Sequence, residues 1–316
     1  MRKLVFLCVI VVLIASMAYA GGFAQAKKPV VGLVLKGLGN EFQKTVMEGA
    51  IKRAKEDGTY ELIAKGVGTE TDIAGQVTIV EQMITSGVDV IVIAPIDSSA
   101  LIPAIKKAVD NNIIVVNYDD EFNREELIRQ GIGEIPFVGP DNVEGAELAG
   151  DYLAEQIGGA GHKVIILEGI PGVVNADRRT EGFMNSVKKY NLDLLVSRTA
   201  HFDAEEANVV LTNLLIMYPD VEGVMCANDN MGLGAVKAIK VAGLQDQVKL
   251  VGFDNTPAFQ ELMRQGKAIA TIEQHPELLG SWGVDTGLKM LRTGEKITGW
   301  IKVPVELVTI KDLPSE

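Results

Sequence analysis

The stretch Val30-Val-Gly-Leu-Val-Leu35, followed by Lys36-Gly-Leu-Gly-Asn40 and then by Glu41–Lys55, decides how the rest of the chain is read. Six residues without a polar alternation describe a strand buried on both faces. The loop carries Gly and Asn, the residues of turns and helix caps, and Glu41–Lys55 has helical periodicity. A doubly covered strand leading into a helix is the repeating unit of a parallel α/β sheet. Working outward, the unit recurs. Apolar runs stand at Tyr60–Ala64, Val88–Ala94, Ile113–Tyr118, Lys163–Leu167, Leu194–Arg198, Val221–Cys226, Val248–Phe253 and Ala268–Ile272. Between them lie amphipathic segments such as Ile73–Ser86, Ala100–Asn111, Val143–Ile157, Arg178–Tyr190, Ala204–Tyr218 and Gly232–Val241.

The pattern also runs twice. Val31-Gly-Leu-Val-Leu35, a loop with Asn40, a helix holding Glu48-Gly49, a strand at Val88–Ala94 and a strand ending at Asp119 form the first copy. Val164-Ile-Ile-Leu167, a loop with Asn175, a helix holding Glu181-Gly182, a strand at Val221–Cys226 and a strand ending at Asp254 form the second. The period is far longer than that of a solenoid, so the echo predicts domain duplication. The fold class is α/β, with two similar doubly wound parallel-sheet lobes.

Residues 1–26 differ from all that follow. Arg2 and Lys3 precede the apolar run Leu4–Met17, and small-residue sites stand at Ala18-Tyr19-Ala20 and Ala24-Gln25-Ala26. This is the pattern of a cleavable secretory signal peptide, and it predicts an extracytoplasmic, periplasmic protein. Cys8 lies inside the apolar run and not at a cleavage site, which argues against a lipid anchor. About 290 residues remain, enough for two domains of ordinary size. Cys226 is the single cysteine left, so no intramolecular disulfide is expected. The net charge of −12 and the lack of a Lys/Arg run argue against a nucleic-acid partner.

In parallel sheets ligands bind beyond the carboxyl ends of the strands. Polar residues gather at those positions: Lys36 and Asn40, Asp119 and Asp120, Asn228 and Asp229, Asp254 and Asn255, and Gln274. Any one of them could serve only to cap a helix or form a turn, as expected for Asp97–Ser99. So many at one topological place predict a shared cleft between the lobes. Enzyme signatures are lacking. Gly37-x-Gly39 has no third glycine of a dinucleotide fingerprint, and there is no Walker sequence and no Gly-x-Ser-x-Gly elbow. His162, His201 and His275 are scattered, so no metal is expected, and Cys226 is expected to be a core thiol. The paired Asp119 and Asp120 have no nucleophile or cofactor motif beside them. Binding without catalysis and without a cofactor is therefore the expected role. Carboxylates, amides and an arginine fork suit a neutral molecule rich in hydroxyls, with Phe42 and Phe202 covering its C–H faces.

Over essentially its whole mature length the chain resembles the ribose-binding-protein class of periplasmic sugar-binding proteins that serve ABC transporters, a type I periplasmic-binding-protein-like fold. The stretches that carry the resemblance are Leu35-Lys-Gly-Leu-Gly-Asn-Glu-Phe42, Asn117-Tyr-Asp-Asp120, Gly139-Pro-Asp-Asn142, Asn175-Ala-Asp-Arg-Arg-Thr-Glu-Gly-Phe183, Ala227-Asn-Asp229, Val251-Gly-Phe-Asp254 and Thr271-Ile-Glu-Gln274. The resemblance implies that Asn40, Phe42 and Asp119 contact the ligand from the first lobe. Arg179, Phe202, Asn228, Asp254 and Gln274 would do so from the second lobe and the hinge. It further implies three crossovers, near Pro140–Asp141, Gln274–His275 and Pro304–Leu307, which make a three-stranded hinge. The expected first lobe is then residues 27–140 with 275–305, and the second is 141–274 with 306–316. Closure on ligand, docking on a membrane permease and a monomeric state complete the expectation. A sensor or chemoreceptor role for a small polar signal is the alternative.

Three positions depart from the family pattern. Lys36 stands where ribose receptors carry a small hydroxyl residue, Gln43 where they have a second aromatic, and Asp120 where an arginine follows the aspartate. Lys36 and Asp120 thereby join the expected ligand contacts, and the substitutions turn the expectation from ribose toward an open-chain sugar alcohol first, then a pentose or hexose. Alanine at Arg179 or Asp119 is expected to abolish binding without unfolding.

Overall fold

The computed structural model describes residues 27–314; the signal peptide expected at residues 1–26 lies outside them. The chain runs β1 (Val30–Gly37), α1 (Glu41–Asp57), β2 (Glu61–Val67), α2 (Ile73–Thr85), β3 (Val90–Ile93), α3 (Ile102–Asp110), β4 (Ile114–Tyr118), α4 (Arg124–Arg129) and β5 (Pro136–Pro140). It continues α5 (Asn142–Ile157), β6 (Lys163–Glu168), α6 (Val174–Tyr190), β7 (Asp193–Thr199), α7 (Ala204–Met217), β8 (Gly223–Cys226), α8 (Asp229–Ala242), β9 (Lys249–Val251), α9 (Pro257–Arg264) and β10 (Ala270–Glu273). Then come α10 (Pro276–Thr293), β11 (Gly299–Val303) and β12 (Glu306–Thr309).

Two six-stranded sheets result, ordered β11-β5-β4-β3-β1-β2 and β12-β10-β9-β8-β6-β7. All strand pairs are parallel except β10 with β12, which are antiparallel. The two orders are the same once the second is renumbered, so the internal echo is a repeat of topology. In each sheet the first strand of the copy, β1 or β6, lies between the strands before and after the order reverses. The chain passes between sheets at residues 140–142, 273–276 and 303–306.

The unbroken apolar character of β1 is used on both faces. Val31, Leu33 and Leu35 enter one buried cluster with Val90, Val92 and Val116, while Val30 and Val34 enter another with Ile91, Ile93 and Val115. The second lobe packs as one cluster around β6, β8 and β9. Helix α10 returns to cover the first lobe. Its Gly280 lies where a Cβ would be 2.3 Å from the Val46 carbonyl oxygen, and a Cβ on Gly283 or Gly287 would be 2.6 Å from Val92 Cγ1 or 2.4 Å from Val90 Cγ1. Only glycine lets the helix axis come that near α1 and the sheet.

Candidate functional site

The loops beyond β1, β2 and β4 face those beyond β6 to β10. Between them lies a small cavity. Nine of the ten expected residues line it: Lys36, Asn40, Phe42 and Asp119 from the first lobe, and Arg179, Phe202, Asn228, Asp254 and Gln274 from the second. Asp120 does not. Its side chain sits behind the Lys36 ammonium, which it binds, because the turn after β4 sends consecutive side chains in different directions. Three further residues, Gln43, Glu70 and Asn175, are on the cavity wall. Gln43 and Asn175 belong to stretches that already stood out in the sequence; Glu70 follows a strand but lies in a loop with no distinguishing pattern.

Two asparagines combine the roles of cap and wall. Asn40 Oδ1 accepts from the Phe42 amide (3.0 Å) and caps α1, while its Nδ2 donates to Glu70 Oε1 (3.1 Å). Asn228 Oδ1 accepts from the Met231 amide (2.8 Å) and caps α8, which leaves its amide nitrogen for the cavity. Capping satisfies one oxygen and thereby fixes which group the side chain presents. Three other wall residues take left-handed backbone: Asp119 (φ 61°), Phe202 (φ 60°) and Asp254 (φ 124°). For residues with a Cβ this conformation costs on the order of 1–3 kcal/mol, and such strain collects at binding sites. Gly169, at the end of β6, makes room for Phe202, since a Cβ there would stand 2.2 Å from the ring.

Arg179 organises the second wall. Its Nε donates to Asn142 Oδ1 (2.8 Å), Nη1 to the Ala227 carbonyl (2.8 Å) and to Asp254 Oδ1 (3.5 Å), and Nη2 to Gln274 Oε1 (3.4 Å). Gln274 Nε2 closes the ring of bonds onto Asp254 Oδ1 (2.6 Å). The guanidinium lies 3.8 Å from the Phe253 ring centre and 5.9 Å from that of Phe202, within reach of cation–π attraction. Asp254 Oδ2 takes no part in this network.

On the first wall Lys36 Nζ reaches Asp119 Oδ2 (3.1 Å) as well as Asp120, and Gln43 Nε2 donates to the same Asp119 oxygen (3.2 Å). Both donors use Oδ2, so Asp119 presents Oδ1. Burial alone would lower the Lys36 ammonium, but Asp119, Asp120 and Glu70 outweigh it and hold it well above its ordinary value. Burial pushes the Asp120 carboxyl up to about 6 against the pull of Lys36, and it lifts Asp254 well above the carboxylate range despite Arg179. Around the cavity, Lys36 and Arg179 face Asp119, Asp120, Asp254 and Glu70, two cations against four carboxyls. Asn175 Oδ1 is buried and has no hydrogen-bond partner among the described residues. The wall thus offers mainly acceptors, with the amide nitrogens of Asn175 and Asn228 and an edge of Arg179 as donors. Such a surface fits a compact, uncharged molecule with several O–H groups and opposes an anion.

The other strand-end residues are structural. Asp229 accepts from the Thr256 amide (2.8 Å) and from Thr271 Oγ1 (2.7 Å), and Asn255 donates to Glu273 (2.8 Å). Cys226 is a buried core thiol whose ionisation burial pushes upward. His162 and His201 each pair with a glutamate, and among the described residues no cluster of His, Cys, Asp and Glu could hold a metal ion. No described helix is long and apolar enough to cross a membrane.

Comparison with known proteins agrees with this geometry. The family described as periplasmic binding protein domain matches residues 31–296. The D-ribose/D-allose-binding protein of Pseudomonas aeruginosa is 42% identical over 287 residues, covering 90% of this chain and 89% of that protein. The ribose import binding protein of Escherichia coli K12 is 36% identical over 307 residues, 97% of each chain. An ABC transporter periplasmic solute-binding protein from Actinobacillus succinogenes, solved with bound D-allose, superposes with a TM-score of 0.85 at 34% identity, over 90% of this chain and 99% of that one. The two parallel-sheet lobes are thus those of a known family, and the chain belongs to the periplasmic binding protein family, in its ribose-binding-protein-like branch.

Proposed function

We propose that this chain is the exported solute-binding component of an ABC importer, which takes up a small neutral sugar in the cavity between its lobes and delivers it to a membrane permease. The observation that carries the reading is the acceptor-rich cavity, whose presented groups (Asp119 Oδ1, Asp254 Oδ2, Asn175 Oδ1) sit on both walls, so that one ligand with several hydroxyls would bridge the lobes. The relatives named for ribose import support the transport role over a sensor role. Phe42 and Phe202 keep two aromatic faces in the wall even with Gln43 nearby, and flat C–H faces of a ring suit them better than an extended chain. We therefore place a cyclic aldopentose or aldohexose ahead of an open-chain sugar alcohol. The receptor would work as a monomer in the periplasm after removal of residues 1–26.

The test is a thermal-shift screen of mature protein against D-ribose, D-allose, other pentoses and hexoses, sugar alcohols and sugar acids, followed by calorimetry on each hit. A large upward shift with one or a few neutral sugars is expected. A shift with sugar acids alone would overturn the reading.

A further inference from the structure

The candidate cavity is continuous with a larger groove that opens at the edge of the interlobe cleft. Four residues line both: Asn40 and Glu70 from the first lobe, Phe202 and Asp254 from the second. They form the neck through which one end of a bound molecule would point outward. We infer that Glu70, carried on the loop between β2 and α2, is a ligand-contacting residue that reads a hydroxyl at this neck; the inference rests on the sugar-binding reading above.

The loop is held for that purpose at three points. Gly37, at the end of β1, lies where a Cβ would stand 2.9 Å from Glu70 Cγ and 3.0 Å from the Glu70 amide nitrogen, so the Glu70 backbone packs directly on the strand. Gly37 of the Gly37-x-Gly39 turn thus has a steric purpose unrelated to nucleotides. The Leu38 amide donates to the Val67 carbonyl (2.9 Å), which ties the loop's start to the β1 turn. Asp72 caps α2 by accepting from the Gly75 amide (2.9 Å), which fixes its end. Between these anchors the carboxylate is aimed by Asn40, whose Nδ2 takes Oε1. Asn40 is itself locked as the α1 cap, so the pair has little freedom to turn. Among the described residues Oε2 has no hydrogen-bond partner; it borders the neck, which Asp254, with its own Oδ2 uncommitted, also lines. An uncommitted carboxyl oxygen therefore lies on each side of the passage. A ligand hydroxyl can donate its single proton to Glu70 Oε2, whereas a ligand carboxylate or phosphate at this end would meet acceptors with no proton to offer them. Glu70 therefore sets specificity at one end of the ligand, and rejection of sugar acids is part of its effect.

The test is a double cycle of residue and hydroxyl. D-ribose and D-allose, with the singly deoxygenated forms of whichever binds, are titrated calorimetrically into wild type and into Glu70→Ala, with Thr69→Ala as the neighbouring control. Loss of a hydrogen bond to a charged group amounts to about tenfold or more in affinity. Glu70→Ala is expected to lose at least that much, Thr69→Ala to lose nothing, and one deoxy sugar to bind both wild type and Glu70→Ala equally weakly. That non-additive position identifies the hydroxyl. Unfolding midpoints should be the same for all three proteins, since Glu70 lies in a surface loop. Unchanged sugar affinity in Glu70→Ala, or losses that add for every deoxy sugar, would overturn the inference. Failure of wild type to bind any neutral sugar would instead remove the reading on which it rests.

Discussion

Arg179 shows how a single side chain can be both wall and scaffold. Four bonds from its guanidinium meet Asn142, Ala227, Gln274 and Asp254, so taking it away would leave these buried groups without their donor. Each buried acceptor left without its donor costs about 1–3 kcal/mol. Arg179→Ala is thus expected to lose binding and also to lower the urea midpoint, whereas Asp119→Ala should lose binding with a smaller change; equilibrium denaturation of both distinguishes them. This alters the expectation from sequence, where the two substitutions looked alike because the bond network of Arg179 was not visible. A second residue-scale effect concerns acidity. Burial lifts Asp229 to about 7, against the bonds from Thr256 and Thr271, and Asp120 to about 6. A carboxyl with a native value above its unfolded one holds its proton better when folded. Its stabilisation is complete below about pH 4 and is lost as pH rises through the native value. The melting temperature of the ligand-free protein should fall between about pH 4 and pH 7, and Asp229→Asn should flatten that slope. Most of the wall was legible because strand ends and cap residues announce themselves; Asp120 and Glu70 were not, since the direction of one side chain and the landing of one loop depend on tertiary contacts.

At the scale of elements, the duplicated Glu-Gly pairs have a common physical basis. A Cβ on Gly49 would lie 2.4 Å from the Glu277 carbonyl oxygen of α10, and one on Gly182 would lie 2.4 Å from the Val143 carbonyl oxygen of α5. In each lobe the first helix of the copy meets the helix that follows a crossover, and glycine sets their distance. Overpacking of this kind costs about 1–3 kcal/mol. Gly49→Ala and Gly182→Ala should each lower stability by such an amount in chemical denaturation, with little effect on sugar affinity per folded molecule. The same glycines explain what periodicity leaves out. Helix α10 presents Gly280, Gly283 and Gly287 to the core beside Leu279, Val284 and Leu288, so glycines interrupt the apolar stripe by which its buried face would be read from sequence. Strand β5 is bounded by Pro136 and Pro140, and β11 is largely exposed, so neither shows the continuous apolar run that marked the central strands.

For the whole molecule the question is how the two lobes are held together. Arg178, beside Arg179, donates from α6 to Glu121 Oε2 (2.6 Å), two residues after Asp119. The same two short segments therefore line the cavity and join the lobes across it. If sugar draws these walls together, small-angle scattering should show a smaller radius of gyration at saturating ligand than without it. Arg178→Ala should weaken apparent affinity by a few-fold at most, as suits a partly exposed ion pair that favours the apposed arrangement. The three passages of the chain between sheets have another effect. The second lobe is built almost entirely from one continuous segment, 142–274, whereas the first lacks α10 and β11 until nearly the end of the chain. During synthesis, strands β1 to β5 would emerge first yet have no cover for the face formed by Val90, Val92 and Val116. The lobe made second can complete its core first, and the earlier one must be kept from aggregating until its last helix arrives.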